Sequence, residues 1–181
     1  MRRLWLGVLT MAAACGGGSA STHGVEFTPA DVVTFDNAVD MIDKPVIVES
    51  EWQGQFEKRV ARADFIGRVR VDAITLDEDL RGSGYRLNVK VTETMQGRGP
   101  RELVLRVNDQ EPGFQSVAIH EDRLLGGSFV AFVKWQKDPS SKEEVPRWHL
   151  SPNTPAVQDK VRFFLNPPPP DGRTEVEVVA P

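Results

Sequence analysis

Hydrophobic and polar residues alternate most regularly in GYRLNVKVTETM (84–95). Tyr85, Leu87, Val89 and Val91 fall on one face of an extended chain, and the residues between them are polar or charged. This period of two is typical of an antiparallel strand with one buried face. We therefore expect these four side chains to line a hydrophobic interior.

Four other runs alternate in the same way or are rich in β-branched residues, and they predict strands over 65–76, 102–107, 128–135 and 147–151. The run SFVAFVKW (128–135) is apolar on both faces at its start, which predicts a central strand. Its Phe129, Ala131 and Val133 are expected to face the same interior as Tyr85. The run RWHLS (147–151) is expected at an edge or as a closing strand. A polar loop is predicted at 77–84 and a turn at 97–100.

A helical period precedes these strands. Trp52, Phe56 and Val60 recur at i, i+4 and i+8, and Ser50 stands just before them. These positions predict a helix over 51–63 with Ser50 as its N-cap.

Two further helices are predicted at the ends of the domain. A short one is expected over 30–42, which makes 28–63 a helical N-terminal segment packed on the sheet. Another follows the last strand, with Thr154 or Ser151 as its N-cap, and it ends at four consecutive prolines (167–170) because proline has no N–H to donate.

The order of these elements indicates a fold class. Five strands, with a helix or loop over 114–126 after the third, are typical of a five-stranded OB-type Greek-key barrel. The predicted fold is therefore mainly β with flanking helices. The barrel and its closing helix occupy 64–165, and a Pro-rich flexible tail occupies 166–181.

Three stretches carry a family resemblance: FIGRVRV, YRLNVKVTETMQGRG and GGSFVAFVKW. Together they resemble the netrin-like domain of tissue inhibitors of metalloproteinases over roughly residues 63 to 150. The resemblance implies an OB barrel. It does not imply inhibition, because that family acts through a mature N-terminal cysteine held in place by disulfides, and this chain has a single cysteine, Cys15.

Cys15 ends the N-terminal run MRRLWLGVLTMAAAC. Arg2 and Arg3, an apolar stretch and three alanines form the pattern of a secretory signal over 1–14. Ala-Ala-Cys after such a stretch resembles the lipobox of bacterial lipoproteins. The resemblance implies that Cys15 receives a lipid and becomes the first residue of the mature chain.

The glycines and serines after Cys15 predict a flexible tether over 15–27. A lipid at Cys15 then makes the membrane a partner and places the protein in the bacterial cell envelope. Gly16 follows the cysteine where enteric lipoproteins retained in the inner membrane carry aspartate. We therefore expect the outer membrane.

Charge narrows the range of partners. Lys and Arg number 22 against 26 Asp and Glu, a formal net charge of −4. An acidic chain of this kind is poorly suited to a phosphate backbone, so no nucleic-acid partner is expected.

The three histidines show no spacing of the H-E-x-x-H kind that zinc sites use. His23 lies in the tether and His120 in a predicted polar loop. His149 follows Trp148 on a strand and is expected to face outward. We expect that alanine can replace His120 or His149 without loss of the fold.

Other candidate chemistry is equally limited. Asp72, Asp77, Glu78 and Asp79 can be read as a weak calcium site or as a solvated acidic loop, and the EF-hand pattern is absent. Ser83 in Gly-Ser-Gly does not match the G-x-S-x-G elbow of hydrolases. No catalytic, cofactor-binding or metal-binding residue is therefore assigned.

The sequence thus predicts a non-catalytic, membrane-anchored envelope lipoprotein whose barrel binds a protein or glycan partner. An envelope hydrolase or metal-dependent enzyme with an unrecognised site stays open as the alternative, and protease inhibition ranks below both.

Overall fold

The computed structural model describes residues 26–41, 49–79, 82–138 and 141–168. Within these ranges there are four helices: α1 (Asp31–Thr34), α2 (Glu49–Arg62), α3 (Phe114–Leu124) and α4 (Pro155–Leu165). There are six strands: β1 (Ala38–Val39), β2 (Phe65–Asp79), β3 (Gly82–Gly97), β4 (Glu102–Asn108), β5 (Ser128–Lys137) and β6 (Glu144–Pro152).

All six strands form one curled sheet in the order β1-β6-β5-β2-β3-β4. Neighbouring strands pair antiparallel except β1 and β6, which pair in parallel through Ala38 with His149 and Val39 with Leu150. The mainly β fold class is confirmed. The sheet has six strands rather than the five that were predicted, and the additional strand, β1, comes from the segment expected to be helical.

The curled sheet buries a core on each face. The concave face holds Tyr85, Leu87 and Val89 together with Phe129, Ala131, Val133 and Trp148, and Val91 packs at its margin. This confirms the interior predicted from the alternation of β3. The outer face carries Phe132, Ile66 and Val130 and is covered by helices α2 and α4 and by Phe35, which follows α1. Phe56 of α2 meets Phe132 edge to face, with ring centroids 5.3 Å apart.

The N-terminal segment differs from the predicted helix over 30–42. Helix α1 has four residues, Asn37 then adopts a left-handed backbone with φ of 55°, and β1 follows. A helix cannot continue through that conformation, whereas asparagine tolerates it better than most residues. The helix predicted over 51–63 is present as α2, and Ser50 lies inside it rather than at its N-cap.

The remaining elements match in part. Residues 77–79 pair with 82–84, so the predicted polar loop is a tight hairpin that extends both strands. Strand β6 lies between β5 and β1, so it is not an edge strand. Thr154 caps α4 by accepting a hydrogen bond from Val157 N, as expected. Cys15, His23 and the signal segment lie outside the described residues, as does nearly all of the Pro-rich tail.

Candidate functional site

A cleft of about 440 Å³ opens where the tip of the β2–β3 hairpin meets the end of β4. It is lined mainly by polar and charged residues: Asp77, Gly82, Ser83, Gly84, Tyr85, Arg86, Arg106, Asn108, Asp109, Gln110 and Glu111. The hairpin and β4 are paired in register through Gly84 and Asn108, so hydrogen-bonded backbone sets the positions of these side chains. The volume lies within the range of small-ligand sites.

Two glycines keep the cleft open. A Cβ atom on Gly84 would lie 3.2 Å from Oδ1 of Asn108, and one on Gly82 would lie 2.8 Å from Oδ2 of Asp109. Gly82 also has a φ of 130°, which other residues rarely adopt. Glycine inside a strand weakens it and often marks a place where another group approaches the backbone closely. The Gly-Ser-Gly sequence therefore forms the open floor of a cleft.

Charged side chains stand over that floor. Arg86 of β3 is directly opposite Arg106 of β4 in the strand register. Nη2 of Arg86 lies 3.4 Å from Oδ1 of Asp77. Asp109 accepts a hydrogen bond of 3.1 Å from the backbone N–H of Ser83. The cleft therefore presents both guanidinium donors and carboxylate acceptors.

Glu111 forms the rear wall and connects the cleft to the N-terminal segment. Its Oε1 accepts a hydrogen bond of 3.0 Å from Nδ2 of Asn37, and its Oε2 accepts one of 2.8 Å from the backbone N–H of Asn108. Arg147 forms an ion pair with the same carboxylate. Asn37 in turn accepts a hydrogen bond from Trp148 N. The cleft therefore rests on contacts that also hold residues 26–41 in place.

Tyr85 also lines the cleft, and its ring lies against Phe114 of α3 with centroids 5.1 Å apart. Burial raises the pKa of Tyr85, and the charge of Glu121 and a hydrogen bond to it act in the same direction. The phenol therefore stays neutral at physiological pH.

A second polar group lies on the outer face of the sheet, around His149. This side chain does face outward, away from the concave core that holds Trp148 and Leu150, but it is only 1% exposed because other residues cover it. Nδ1 lies 2.9 Å from Oδ1 of Asp36, and Nε2 lies 2.8 Å from Oδ2 of Asp40. Both carboxylates come from the N-terminal segment, which covers this part of β6.

Arg59 of α2 completes the group. Its Nη1 lies 3.7 Å from Oδ2 of Asp40, and its Nε donates a hydrogen bond of 3.1 Å to the carbonyl of Thr34. Burial alone would raise the pKa of Asp40, but the hydrogen bond from His149 and the charges of His149 and Arg59 outweigh burial and lower it. Because both nitrogens of His149 face carboxylates, neither is free to take a proton from a nucleophile. The group joins chain segments together.

The other candidate site residues from the sequence do not come together in one site. His120 is half-buried on α3, not in a loop, and it lies outside the lining of the cleft. Asp72 pairs with Arg70, and Asp77 faces Arg86. In the described part of the chain, no group of three or more His, Cys, Asp or Glu side chains is arranged to hold a metal ion. Ser83 contributes its backbone N–H to the cleft, whose lining contains no histidine.

Comparison with protein families, with curated proteins and with solved structures finds nothing that matches this chain. Among the described helices, none combines the length and the apolar character needed to cross a bilayer.

Proposed function

We propose that this protein is a lipid-anchored binding module of the bacterial cell envelope, and that the cleft beside Gly84 is its binding site. The observation that carries the proposal is the open floor at Gly82 and Gly84, beneath polar side chains that a rigid strand pair holds in register. Sites built on strands position their groups more precisely than sites on loops. The catalytic alternative gains no support from His149, since both of its ring nitrogens are engaged.

We further propose that β2 to β6 form an open OB-type barrel, to which β1 is added. The strands β5-β2-β3-β4 stand in the spatial order 4-1-2-3, which is that of a Greek key. Helix α3 lies between the third and fourth of the five. OB barrels bind oligosaccharides and oligonucleotides on the face of their second and third strands and on the adjoining loop. Here those strands are β3 and β4, and that loop is the hairpin tip at the cleft.

The lipid anchor at Cys15 supplies the membrane attachment. A diacylated or triacylated cysteine holds a protein at a bilayer firmly, because each buried CH₂ contributes ~0.8 kcal/mol. Mass spectrometry of the mature protein should show a lipidated N-terminus at Cys15, and fractionation should place it in the outer membrane. An unmodified N-terminus at any other residue would show that the anchor is wrong.

Binding to isolated cell envelopes tests the cleft. Gly84→Leu places a side chain in the cleft, while Gly54→Leu makes the same change on α2, where a Cβ meets no atom within 4 Å. We expect the unaltered protein and Gly54→Leu to bind envelope material equally and Gly84→Leu to lose most of the binding. If Gly84→Leu is folded and binds as well as Gly54→Leu, the cleft is not the binding site.

A further inference from the structure

We propose that the cleft selects an acidic sugar, with the carboxylate of a uronic-acid unit held between Arg86 and Arg106 and its hydroxyls on Asp77 and Asp109. The inference rests on the proposed binding function and names the ligand class of the same site. It follows from how the charges are distributed over the two strands.

The positive charges of Arg86 and Arg106 are only partly neutralised by neighbouring carboxylates. Arg86 and Arg106 are direct cross-strand neighbours, and like charges in such positions destabilise a sheet. Asp77 approaches one side of Arg86, at 3.4 Å, while the Nε atom of Arg86 is buried with no hydrogen-bond partner among the described residues. The guanidinium of Arg106 makes no hydrogen bond or ion pair with any described side chain. An anion between the two would relieve this repulsion.

The geometry of the donors favours a carboxylate. Guanidinium groups present planar pairs of N–H donors that match the two oxygens of a carboxylate, and such charge-assisted bonds are stronger than neutral ones. Two arginines on adjacent strands can therefore hold one carboxylate from both sides.

The acceptors in the same cleft argue for a sugar rather than an acidic peptide. Asp77 and Asp109 lie beside the arginines, and a run of acidic side chains would be repelled by them. A sugar hydroxyl both donates and accepts, so it can donate to these carboxylates and accept from the amides of Asn108 and Gln110. A ligand with one negative charge among several hydroxyls matches this set of groups.

The test uses cellobiouronic acid and, as its neutral match, cellobiose, each titrated into the full folded domain by calorimetry. We expect cellobiouronic acid to bind at least about tenfold more tightly than cellobiose, and the difference to shrink at high salt because screening weakens charge pairs. Equal binding of the two disaccharides would overturn the proposal.

Matched variants identify the residues. Arg106→Gln should bring the affinity for cellobiouronic acid down about tenfold or more, to the level of cellobiose. Lys90→Gln changes a charge on the same strand pair outside the cleft and should leave that affinity unchanged. Unaltered binding by Arg106→Gln would refute the assignment, as would tighter binding of hexaglutamate, which would indicate an acidic peptide instead.

The two sets of measurements distinguish a wrong ligand class from a wrong binding site. If neither disaccharide binds but Gly84→Leu still loses envelope binding, the ligand class is wrong and the cleft remains the binding site. If Gly84→Leu keeps envelope binding, both proposals fall.

Discussion

The indole Nε1–H of Trp148 donates a hydrogen bond of 2.9 Å to the carbonyl oxygen of Arg106. This contact joins β6 to β4, two strands that are not neighbours in the sheet. Trp148 is fully buried in the concave core, so one side chain both fills the interior and links β6 to the edge strand β4. The main chain of Arg106 thus serves the fold, while its side chain lines the cleft.

Replacing Trp148 with phenylalanine should separate these two contributions. Trp148→Phe keeps an aromatic ring in the core but removes the donor to the Arg106 carbonyl, and we expect the free energy of unfolding to fall by about 2 kcal/mol. Urea unfolding measures the loss. Arg106→Gln keeps the carbonyl and should change stability by less than about 0.5 kcal/mol. Similar losses in the two variants would mean that the guanidinium, and not the carbonyl, stabilises the closure.

His149 and His120 should now behave differently on substitution. His149→Ala removes a buried ring and leaves Asp36 and Asp40 without their common partner, so we expect a loss of at least about 2 kcal/mol in the free energy of unfolding. His120→Ala should stay within about 0.5 kcal/mol. Chemical denaturation of both variants tests this, and an unchanged midpoint for His149→Ala would contradict the stabilising role of the group.

Asp31 should make the fold sensitive to acid. Its side chain is 2% exposed and receives two hydrogen bonds from Arg62, at 2.6 and 2.9 Å, and two from Thr28. Burial alone would raise the pKa of Asp31, but these bonds and the charge of Arg62 lower it from 3.8 to about 2. A carboxyl with a lowered folded-state pKa stabilises the fold above its unfolded value, by about 2 kcal/mol here, and loses that contribution as the pH falls toward 2.

The measurement compares the unaltered protein with Asp31→Asn in urea at several pH values. The difference in unfolding free energy should be fully present at pH 6 and should shrink between about pH 4 and pH 2. Asp159→Asn is the control, because Asp159 is 73% exposed on α4 and pairs with the exposed Arg162. A difference for Asp31→Asn that does not change with pH would exclude the carboxylate charge as its cause.

Val89 and Val104 test the two faces of the sheet. Val89 is 2% exposed in the concave core, so Val89→Asp buries an unpaired carboxylate at a cost of several kcal/mol, against a total stability of ~5–15 kcal/mol. That variant should be unfolded or degraded. Val104 of β4 is 43% exposed, and Val104→Asp should give a cooperative thermal transition close to that of the unaltered protein. Two folded variants would show that the concave core is misassigned.

The strands were predictable because their signal is local. The alternation of Tyr85, Leu87 and Val89 specifies which side chains share a face, whatever lies elsewhere in the chain. The polar sequence around Gly82 indicates a loop, because both faces of this hairpin are solvated. The pairing of residues 77–79 with 82–84 nevertheless satisfies the backbone hydrogen-bonding groups, and polar side chains are compatible with that pairing.

The group around His149 was not predictable from the same signal. Alternation correctly set His149 opposite Trp148, but it does not tell which faces of a sheet receive a second layer. Asp36 and Asp40 are 113 and 109 residues away from His149 in sequence, and the residues around them carry no pattern that predicts a histidine partner. The cleft could not be predicted for a related reason. The Gly-Ser-Gly sequence forms a cleft only because it lies beside the end of β4, and the local sequence does not show that contact.

Because strand β1 is short, we expect the N-terminal segment to detach from the sheet under a pulling force before the other strands separate. Residues 26–41 are held by the ion pair of Asp31 with Arg62, by a two-residue parallel ladder and by the contacts of His149. A pulling force applied at the N-terminal end loads these attachments before it reaches the long β2–β3 ladder. In single-molecule stretching, a weak first rupture should precede the main unfolding event. Because Asn37 also holds Glu111, that first rupture would remove a support of the cleft wall and so relay tension in the chain to the cleft.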